Sequence, residues 1–512
     1  MNTAEVVINT LERLGFKIAF GIPGMWSIPI YEALASSKIK HILVRHEQNA
    51  VFAADGYARS SGNIGLCFGS AGQGAINIAS GIVTPFRDHS PVLSITSHIP
   101  TYEQGKGWIE DIDLRAIFSP ITKFFAQIED PLKAYEILCN AYLSCVEGCP
   151  GPSHIVIPGD IQRKESIDLN YIPIPKKIIP KEEDVKIVIE KILNAKFPLI
   201  LAGRGCILSN SSDSLLRFIE STGIPVVTSM MGRGIIPEDH PLCLGPVGRR
   251  GFEKANKALS QCDLLLVLGC RLTNMTIGNI DLKCQIIQVD IEEKNFSPIA
   301  NIKVKSDISS FLERLNINRK FMINIKKSYG EDTIEYAKAI ASFSDAIFTI
   351  DIGQHTIWIL NAIIAKNPRQ IIFSGNMSSM GFSIPAAIGA KLANPNERVI
   401  SIVGDGGFQI SSSELATIKE NDITIVICLF NNRSLGLIRQ IQEIVYGRTF
   451  GVNYSDSPDY LKLAEAYGID AIRVSNPKEL IEVINKVKEP TLIEIPISKE
   501  EKVKITKPRI LE

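Results

Sequence analysis

The sequence predicts an α/β protein made of three units, each with a doubly wound, mostly parallel β-sheet flanked by helices. Short apolar runs typical of buried strands alternate with amphipathic runs typical of helices along most of the 512 residues. Glycine-rich turns follow many of the predicted strands, as expected where a strand leads directly into a helix. Together these features favour parallel strands joined by crossover helices.

Two stretches interrupt this alternation. Residues 161–184 and 316–335 lack hydrophobic periodicity and collect charged residues, and the first of them also contains three prolines. Such a composition is typical of linkers. The predicted units are therefore residues 1–165, 185–318 and 336–498, and the charged residues 498–512 are predicted to form a tail.

The composition excludes several classes of protein. The 55 Lys and Arg residues balance 55 Asp and Glu residues, so a basic face for nucleic acid or a membrane surface is not expected. No apolar run approaches the roughly 18 residues that suggest a membrane span, and the amphipathic N-terminus does not resemble a signal peptide. The 10 cysteines lack metal-ligand spacing. We expect a cytoplasmic protein with reduced, mostly buried thiols.

The third unit contains the most informative stretch, Gly404-Asp405-Gly406-Gly407, which Asn431-Asn432 follows. Residues 398–403 and 423–430 are predicted strands and 411–419 a predicted helix, so both polar stretches lie just after strands. Ligands bind at that edge of a doubly wound sheet. The Asp405 carboxylate and the Asn432 amide oxygen suit Mg²⁺, and the glycines would let the backbone approach a diphosphate. Taken alone, each stretch is also compatible with an ordinary turn.

Two other polar residues follow predicted strands. Glu47 comes after the predicted strand 41–44 of the first unit and opens a helix, where a carboxylate is often only a favourable charge at the helix N-terminus. His355 comes after the predicted strand 346–350 of the third unit. It could be a plain helix N-terminal residue, but its position at the same edge as Asp405 favours a contact with a diphosphate.

With these pieces in place, the chain resembles the acetolactate synthase (acetohydroxyacid synthase) large subunits and their thiamine-diphosphate-dependent relatives. The matching stretches are spread over most of the chain and include FGIPG, RHEQNA, ADGYAR, GAINIASGI, GCPGP, MGRGIIP, DIGQH, SSMGFSIPAAIGA and GDGGFQISSSELATIK. The resemblance implies a thiamine-diphosphate-binding fold. Its domains would be pyrimidine-binding (1–165), central and nucleotide-binding-like (185–318), and diphosphate- and Mg²⁺-binding (336–498).

The resemblance also implies roles for individual residues. Glu47 would be the catalytic carboxylate that activates the aminopyrimidine of the cofactor, with Asn77 nearby. Met380 would be the apolar wedge that keeps the cofactor bent, and the Ser378 carbonyl would face the aminopyrimidine. The residues expected to hold the diphosphate are Gln354, His355, Gly404, Gly406 and Gly407, and those expected to bind Mg²⁺ are Asp405, Asn432 and the carbonyl of Ser434.

The departures from the family pattern lie around the substrate. Met25-Trp26 stands where the family usually has small residues, Ile109-Glu110 replaces a Phe-Gln pair on a lid-like loop, and Gly159 replaces a lysine. Ile441 matches a tryptophan that helps the family to recognise the acceptor. The expected substrate pocket is formed by Met25, Trp26, Ile109, Glu110, Ile438 and Ile441. These differences leave the pair of substrates open.

The flavin-binding pattern of the family is matched only in part. Gly203, Arg204, Arg271 and Asp290 are present, but the expected Arg-Phe-Asp-Asp-Arg reads Arg-Leu-Thr-Asn-Met at 271–275. FAD is thus implied as a cofactor beside thiamine diphosphate and Mg²⁺, while the actual flavin content stays open. The family further implies an active site between the subunits of a homodimer or a dimer of dimers, and it allows for a small regulatory subunit.

The activity implied is that of a carboligase in branched-chain amino acid biosynthesis, which converts two pyruvate molecules into 2-acetolactate and CO₂. The alternative is a lyase, either a 2-oxo acid decarboxylase or an enzyme of the 2-hydroxyacyl-CoA or oxalyl-CoA type. Decarboxylases of this kind use a histidine pair and an acidic residue after the first strand. Here residues 101–111 contain no histidine, and Glu110 is the only substitute for the acid. A binding subunit without activity is disfavoured because Glu47, Asp405 and Asn432 are all retained.

Overall fold

The structure is a computed structural model that describes residues 1–505 and contains three parallel sheets of six strands each. Every pair of neighbouring strands is parallel, and helices flank each sheet. The predicted fold class is therefore confirmed. Within the described residues, no helix is both long enough and apolar enough to cross a membrane.

The first sheet has the strand order β2-β1-β3-β4-β6-β5. Its strands are β1 (Ile18–Gly21), β2 (Lys40–Leu43), β3 (Gly65–Gly69), β4 (Val92–His98), β5 (Phe124–Gln127) and β6 (Ser153–Pro158). Its helices are α1 (Thr3–Arg13), α2 (Ile28–Ala35), α3 (Glu47–Ser61), α4 (Gln73–Asp88), α5 (Leu114–Phe118) and α6 (Ala134–Val146). The helices α3 and α4 follow β2 and β3 directly, so their N-termini lie at the carboxyl edge of the sheet.

The second sheet has the order β12-β11-β10-β7-β8-β9. Its strands are β7 (Pro198–Ala202), β8 (Val226–Thr228), β9 (Cys243–Pro246), β10 (Leu264–Leu268), β11 (Gln285–Asp290) and β12 (Ile302–Lys305). Its helices are α7 (Glu182–Asn194), α8 (Arg204–Leu208), α9 (Ser212–Thr222), α10 (Glu253–Gln261), α11 (Asn274–Ile277) and α12 (Ile308–Leu312). The sequence predicts the four inner strands but not the edge strands β9 and β12, which carry Gly and Pro or alternate with lysine and so lack a long apolar run.

The third sheet has the order β14-β13-β15-β16-β18-β17. Its strands are β13 (Ile347–Ile350), β14 (Ile371–Phe373), β15 (Val399–Gly404), β16 (Val426–Asn431), β17 (Asp470–Arg473) and β18 (Thr491–Pro496). Its helices are α13 (Glu335–Ala341), α14 (Gln354–Ala362), α15 (Ser383–Ala393), α16 (Asp405–Ser411), α17 (Glu414–Glu420), α18 (Gly436–Tyr446), α19 (Tyr460–Ala466) and α20 (Pro477–Lys486). Gly404 pairs with Phe430, so Asp405 and Asn432 follow neighbouring strand ends.

The single helix predicted at 411–419 is wrong in its bounds. The structure contains α16, which begins at Asp405, and then α17, which begins at Glu414. An acidic residue is favoured in the first turn of a helix, and the Asp405 Oδ1 accepts a hydrogen bond of 2.9 Å from the Gly406 N–H. The glycines of the GDGG stretch therefore form the first turn of a helix and not a loop.

The predicted C-terminal tail is also wrong for residues 498–505. Val503 is buried, its N–H donates to Gln440 Oε1 at 3.1 Å, and its carbonyl accepts from Gln440 Nε2 at 2.6 Å. The Glu501 carbonyl accepts a hydrogen bond of 2.9 Å from Gln354 Nε2. This segment is therefore packed against the third unit, beside residues of the expected site. The rest of the predicted tail, residues 506–512, lies outside the described residues.

The first and third units pack through the helices α3 and α15. A Cβ atom added at Gly389 would collide with the carbonyl oxygen of Ala53, and one added at Gly56 would collide with that of Ala386. Both helix backbones thus approach more closely than any larger residue allows. One apolar cluster runs through this contact and includes Phe52 and Phe382, whose rings meet edge to face at 5.3 Å.

We expect Gly389→Ala to lower the free energy of unfolding by about 2 kcal/mol or more, because the added methyl group overpacks the contact between α3 and α15. Urea unfolding of the purified protein measures this. Gly151→Ala is the matched control, since its methyl group would meet only the flexible side chain of Lys123. Equal urea midpoints for the two variants would contradict the close approach of α3 and α15.

Candidate active site

Asp405 lies at the carboxyl edge of the third sheet with one carboxylate oxygen free of any partner. It is buried, and its Oδ2 atom has no hydrogen-bond partner in the described part of the chain. Burial raises the pKa of Asp405 to about 6, although the N–H groups of Gly406 and of residues 432–434 lower it. A buried carboxylate without a counter-charge is unfavourable, and a divalent cation would remove that cost.

Asn432 and Ser434 lie beside Asp405 on the loop between β16 and α18. Asn432 Oδ1 accepts hydrogen bonds from the backbone N–H and the hydroxyl of Ser434, at 3.0 and 3.1 Å. Asn432 Nδ2 donates to Gln354 Oε1 at 3.3 Å. A Cβ added at Gly436 would collide with Gln354 Oε1, so only a glycine fits at the start of α18. The loops that carry Gln354 and Asn432 are thereby held together.

His355 faces the same edge from the first turn of α14. It is buried, and a Cβ added at Gly404 would lie 3.0 Å from its Cε1. Burial lowers the pKa of His355 to about 4, so the ring is neutral at neutral pH. Its Nε2 atom is buried and has no partner among the described residues. A neutral imidazole of this kind can donate a hydrogen bond to a ligand oxygen.

Ser378 and Met380 form a turn opposite Gly406. Ser378 has a φ of 53°, a left-handed conformation that costs energy for a residue other than glycine. A Cβ added at Gly406 would lie 3.3 Å from the terminal methyl carbon of Met380 and 2.8 Å from the hydroxyl of Tyr454. The Met380 side chain therefore reaches the GDGG turn, and neither turn has room for a larger residue.

Asp351 holds this turn from behind. Its carboxylate accepts hydrogen bonds from the N–H groups of Ile352 at 2.8 Å, Gly381 at 3.1 Å and Ser383 at 3.3 Å. A Cβ added at Gly407 would lie 2.9 Å from the carboxyl carbon of Asp351. Burial raises the pKa of Asp351 to about 6 against the lowering effect of these N–H groups. We did not predict a role for Asp351 from the sequence; a carboxylate directly after a buried strand is the signal that could have indicated it.

Glu47 lies in the first unit, at the start of α3. It is buried, and its Oε2 accepts a hydrogen bond of 2.8 Å from Asn77 Nδ2. A Cβ added at Gly74 would lie 3.1 Å from Glu47 Oε1, so the first turn of α4 packs directly on the carboxylate. The structure thus brings Glu47 and Asn77, both expected near the cofactor, into direct contact.

Within one chain, this pair makes no hydrogen bond to the Asp405 group in the described residues. The hydroxyl of Ser379, next to Met380, hydrogen-bonds to that of Thr84 at 2.8 Å. Thr84 lies seven residues after Asn77 on α4, a distance of roughly 10 Å along the helix axis. The two groups are therefore not in direct polar contact within one chain.

A second buried carboxylate, which the sequence does not single out, links the two units. Glu414 Oε1 accepts hydrogen bonds of 2.9 Å from the Arg45 N–H and from Asn49 Nδ2, and its Oε2 accepts one of 2.7 Å from Thr417. Burial raises the pKa of Glu414. Glu414 thereby fixes the start of α3, which carries Glu47, against the third unit. Its partners are distant in sequence, so no local pattern could have revealed it.

Four of the expected substrate-pocket residues, Met25, Trp26, Ile109 and Glu110, lie in the first unit, which also carries Glu47. Met25 and Ile109 are 67% and 79% exposed. Glu110 has a φ of 68° and packs on Gly72, where an added Cβ would lie 2.8 Å from its Cβ and Cγ. The Trp26 ring covers Gly159, where an added Cβ would lie 2.8 Å from the ring. The lysine that the resemblance leads one to expect at position 159 would collide with the Trp26 ring. The substitutions at positions 26 and 159 are therefore coupled.

The remaining pocket residues, Ile438 and Ile441, lie on α18 beyond Asn432. Ile438 is half-exposed at the surface of the third unit, and Ile441 is partly buried. The six expected pocket residues are therefore divided between the same two halves as the polar groups. Met25, Ile109 and Ile438 expose large apolar side chains next to polar groups, as surfaces that become covered in an assembly do.

A cavity of about 700 Å³ lies between the three units, away from Asp405. Arg204, Arg271 and Asp290 line it, whereas Gly203 packs against Gly269, where a Cβ would not fit. Arg204 Nε is buried without a partner among the described residues, and burial lowers the pKa of Arg204 to about 10. The cationic lining suits an anionic ligand.

The Asp88 carboxylate links residues of the first and third units in the wall of this cavity. Its carboxylate forms a buried ion pair of 2.9 Å with Arg59 and accepts hydrogen bonds from the N–H groups of Gly375 and Asn376, at 3.0 and 2.9 Å. Burial would raise the pKa of Asp88, but the neighbouring Arg59 and Arg204 hold it below its usual range. Asp88 is thus ionised and paired with Arg59, and it offsets part of the charge of Arg204.

Models of three thiamine pyrophosphate enzyme domains match the chain. The N-terminal TPP binding domain matches residues 1–117, the central domain residues 185–315, and the C-terminal TPP binding domain residues 351–495. Each match falls on one of the three sheets.

Similar proteins cover almost the whole chain. The probable acetolactate synthase large subunit of Methanocaldococcus jannaschii is 39% identical over 99% of this chain and 94% of its own length. The acetolactate synthase large subunit of Lactococcus lactis is 36% identical, with 98% and 93% covered. The large subunit of acetolactate synthase isozyme 1 of Escherichia coli is 33% identical, with 98% and 94% covered. The chain therefore belongs to the thiamine pyrophosphate enzymes, in the family of the acetolactate synthase large subunits.

Proposed function

We propose that the protein is a thiamine-diphosphate- and Mg²⁺-dependent carboligase that converts two molecules of pyruvate into 2-acetolactate and CO₂. The observation that carries the proposal is the group formed by Asp405, Asn432 and His355, in which two buried polar atoms lack partners. This group lies at the ligand-binding edge of the sheet in a chain whose relatives are named acetolactate synthase large subunits.

The donor atoms fit Mg²⁺ bound to a diphosphate. Asp405 Oδ2, the Asn432 amide oxygen and the Ser434 carbonyl are hard oxygen donors of the kind that Mg²⁺ prefers, and they would hold the metal. Gln354 and His355 would hold the diphosphate, and Gly404, Gly406 and Gly407 would let the backbone come close to it. The charge of the metal would also offset the burial of Asp405.

When bound, thiamine diphosphate supplies a carbon nucleophile that adds to 2-oxo acids and accepts the electrons released with CO₂. The protein would position the cofactor and the substrates and would supply the protons that the reaction needs. Glu47 would exchange a proton with the aminopyrimidine, and Asn77 orients the Glu47 carboxylate at 2.8 Å. Met380 and the Ser378 carbonyl would fix the conformation of the cofactor, since Asp351 anchors their turn. The apolar side chains of Ile438, Ile441 and Met25 would exclude water from the second substrate.

A homodimer would complete the site. Close packing of α3 on α15 fixes the first unit against the third within one chain. Asn77, the hydrogen-bond partner of Glu47, lies roughly 10 Å along α4 from Thr84, which contacts Ser379 next to Met380. A second chain would bring its Glu47 to the Asp405 group of the first. The relatives are named large subunits, which further supports a small regulatory subunit as a partner. The large subunits would form a dimer or a dimer of dimers.

The cavity between the three units fits FAD as an additional cofactor. Its volume of about 700 Å³ and its lining by Arg204 and Arg271 suit a large ligand with a diphosphate. Asp290, whose Oδ1 accepts from Asn295 at 2.8 Å, lies at the end of β11, where a ribose hydroxyl could bind. FAD would have a structural role here, because acetolactate formation involves no net oxidation.

The alternative function is decarboxylation of a 2-oxo acid. Glu110 favours it, because its side chain packs on Gly72, in the same glycine-rich turn whose Gly74 contacts Glu47. A carboxyl group there could deliver a proton to the reacting carbon, which would yield an aldehyde. Carboligation is preferred because of the family to which the chain belongs.

One assay distinguishes the two functions. The purified full chain is incubated with thiamine diphosphate, Mg²⁺ and pyruvate, and the products are quantified. We expect 2-acetolactate as the main product and acetaldehyde as a minor one. Acetaldehyde as the main product would overturn the carboligase proposal in favour of the lyase. An absorbance scan of the same preparation tests for bound flavin independently of activity.

We expect Glu47→Gln to lower the turnover number by about 10² to 10⁴, because the amide cannot exchange a proton with the aminopyrimidine. The affinity for thiamine diphosphate should stay within a few-fold, since Gln keeps the size and the contact with Asn77. Steady-state kinetics and calorimetric titration measure the two quantities. Glu32→Gln, a change of an exposed residue on α2, is the control and should behave as wild type. Full activity of Glu47→Gln would exclude the assigned role.

We expect Asp405→Asn to weaken the binding of thiamine diphosphate in the presence of Mg²⁺ by about 100-fold, because one anionic ligand of the metal is lost. Chelation of Mg²⁺ should weaken binding to wild type in the same way. Cofactor titration followed by tryptophan fluorescence provides the measurement. Asp470→Asn, at an exposed position in β17, serves as the control. Unchanged binding after both treatments would argue against a metal-bridged diphosphate.

Asp351 should make stability depend on pH. Its pKa of about 6 in the folded state exceeds the usual 3.8, so the folded protein binds more protons and loses stability as pH rises from 4 to 7. Relative to Asp351→Asn, we expect wild type to lose about 2 to 3 kcal/mol over this range. Urea unfolding at several pH values tests this, with Asp345→Asn as the exposed control. Parallel pH profiles for wild type and Asp351→Asn would refute it.

A further inference from the structure

Cys262 and Cys284 lie at the same end of two neighbouring strands in the second sheet. Leu264 of β10 pairs with Gln285 of β11, and the Gln285 N–H donates to the Asp263 carbonyl at 3.0 Å. This register puts Cys284 opposite Asp263, one residue from Cys262. From the strand spacing and the rise per residue, the Cα atoms of the two cysteines lie roughly 6 Å apart. That separation falls within the range of disulfide bonds.

The two side chains also face each other. Both pack into the apolar cluster on the same face of the sheet, together with Leu259, Leu265 and Ile286. The two thiols are close enough to influence each other's ionisation, while Cys262 Sγ also donates to the Leu259 carbonyl at 3.4 Å. By contrast, Cys145 Sγ and Cys206 Sγ donate to the carbonyls of Val92 and Leu268, at 3.6 and 3.3 Å. The register and the shared cluster therefore make Cys262 and Cys284 a pair whose geometry permits a covalent link.

The two thiols differ in their environment. Cys262 is 6% exposed, whereas Cys284 is only partly buried and is accessible from solvent. The neighbouring Cys262 thiol lowers the pKa of Cys284, whereas the neighbouring Cys284 thiol, together with burial, raises the pKa of Cys262. Cys284 is thus the thiol that ionises first and can be reached by a reagent, and Cys262 is positioned to react next.

We propose that Cys262 and Cys284 are a reversible redox pair that forms a disulfide in the second sheet when the protein meets a small-molecule disulfide. The Cys284 thiolate attacks one sulfur of the reagent, whose S–S bond breaks and releases a first thiolate. The Cys262 thiolate then attacks Cys284 Sγ, forms the protein disulfide and releases a second thiolate. The two protons lost by the cysteines pass to the two released thiolates, so the protein is oxidised and the reagent is reduced to two thiols.

The disulfide would close a loop that contributes to the interdomain cavity. The residues between the two cysteines include β10, Arg271 and α11, and Arg271, Thr273, Met275 and Thr276 line the cavity. A cross-link at the amino ends of β10 and β11 restricts this segment in the unfolded chain and so stabilises the folded one. The redox state of the two cysteines would thereby control the stability of the second unit. The cross-link would lie at the edge of the sheet opposite to the cavity.

The test exposes the full-length protein, loaded with thiamine diphosphate and Mg²⁺, to oxidised glutathione. Free thiols are then alkylated under denaturing conditions, and the peptides are analysed by mass spectrometry. We expect a Cys262–Cys284 cross-linked peptide, a loss of two alkylated thiols out of ten, and a melting temperature higher by about 5 °C. Reduction with dithiothreitol should reverse all three changes.

Two single variants test the order of the steps. Cys262→Ser should accumulate glutathione on Cys284, and Cys284→Ser should leave Cys262 unmodified; neither should gain thermal stability. Cys139→Ser, a change of a cysteine that is 7% exposed and distant from the pair, should behave as wild type. Ten alkylated thiols after oxidation of wild type, separate glutathione adducts on both cysteines, or a cross-link without a rise in melting temperature would each overturn the proposal. None of these readouts depends on the proposed enzymatic activity.

Discussion

The parallel pairing of β15 with β16 is the constraint on which the candidate site depends. It sets Asp405 and Asn432 at neighbouring strand ends and turns the backbone N–H groups of residues 432–434 toward a carboxylate that is almost completely buried. In an apolar setting such a carboxylate is unfavourable, as its raised pKa reflects. The surrounding groups include an imidazole nitrogen without a partner in the described part of the chain and glycines at which an added Cβ would meet neighbouring atoms. In the proposed function, such a site would gain stability from an anionic ligand and its metal.

A second constraint fixes the first unit against the third. The backbones of α3 and α15 meet at Gly56 and Gly389, and Glu414 fixes the start of α3 with two hydrogen bonds, from the Arg45 N–H and from Asn49 Nδ2. This packing determines where Glu47 lies relative to Asp405, and apolar residues such as Met25 and Ile438 remain exposed in a single chain. In the proposed dimer, the same rigidity would hold Glu47 in place for a partner chain.

The differences from the family pattern around the expected substrate pocket are explained by contacts in the folded structure and not by positions along the chain. Trp26 and Gly159 lie far apart in the chain, but the indole ring covers the glycine, so one substitution requires the other. Glu110 has a left-handed backbone and packs on Gly72, which places a carboxylate near the glycine-rich turn that contacts Glu47. These residues, and not the cofactor-binding ones, would decide between carboligation and proton delivery.

By itself, the sequence determined the fold class and most of the inner strands, because apolar runs and glycine turns are local patterns. It also singled out Glu47, His355, Asp405 and Asn432 as candidates, because they follow predicted strands. Only the tertiary structure revealed the edge strands β9 and β12, the division of residues 405–420 into α16 and α17, and the packing of residues 498–505. It also identified Asp351, Glu414 and the Cys262–Cys284 pair. Asp351 follows a buried strand, but its contacts, like those of Glu414 and the two cysteines, include residues distant along the chain, which the local order of residues does not encode.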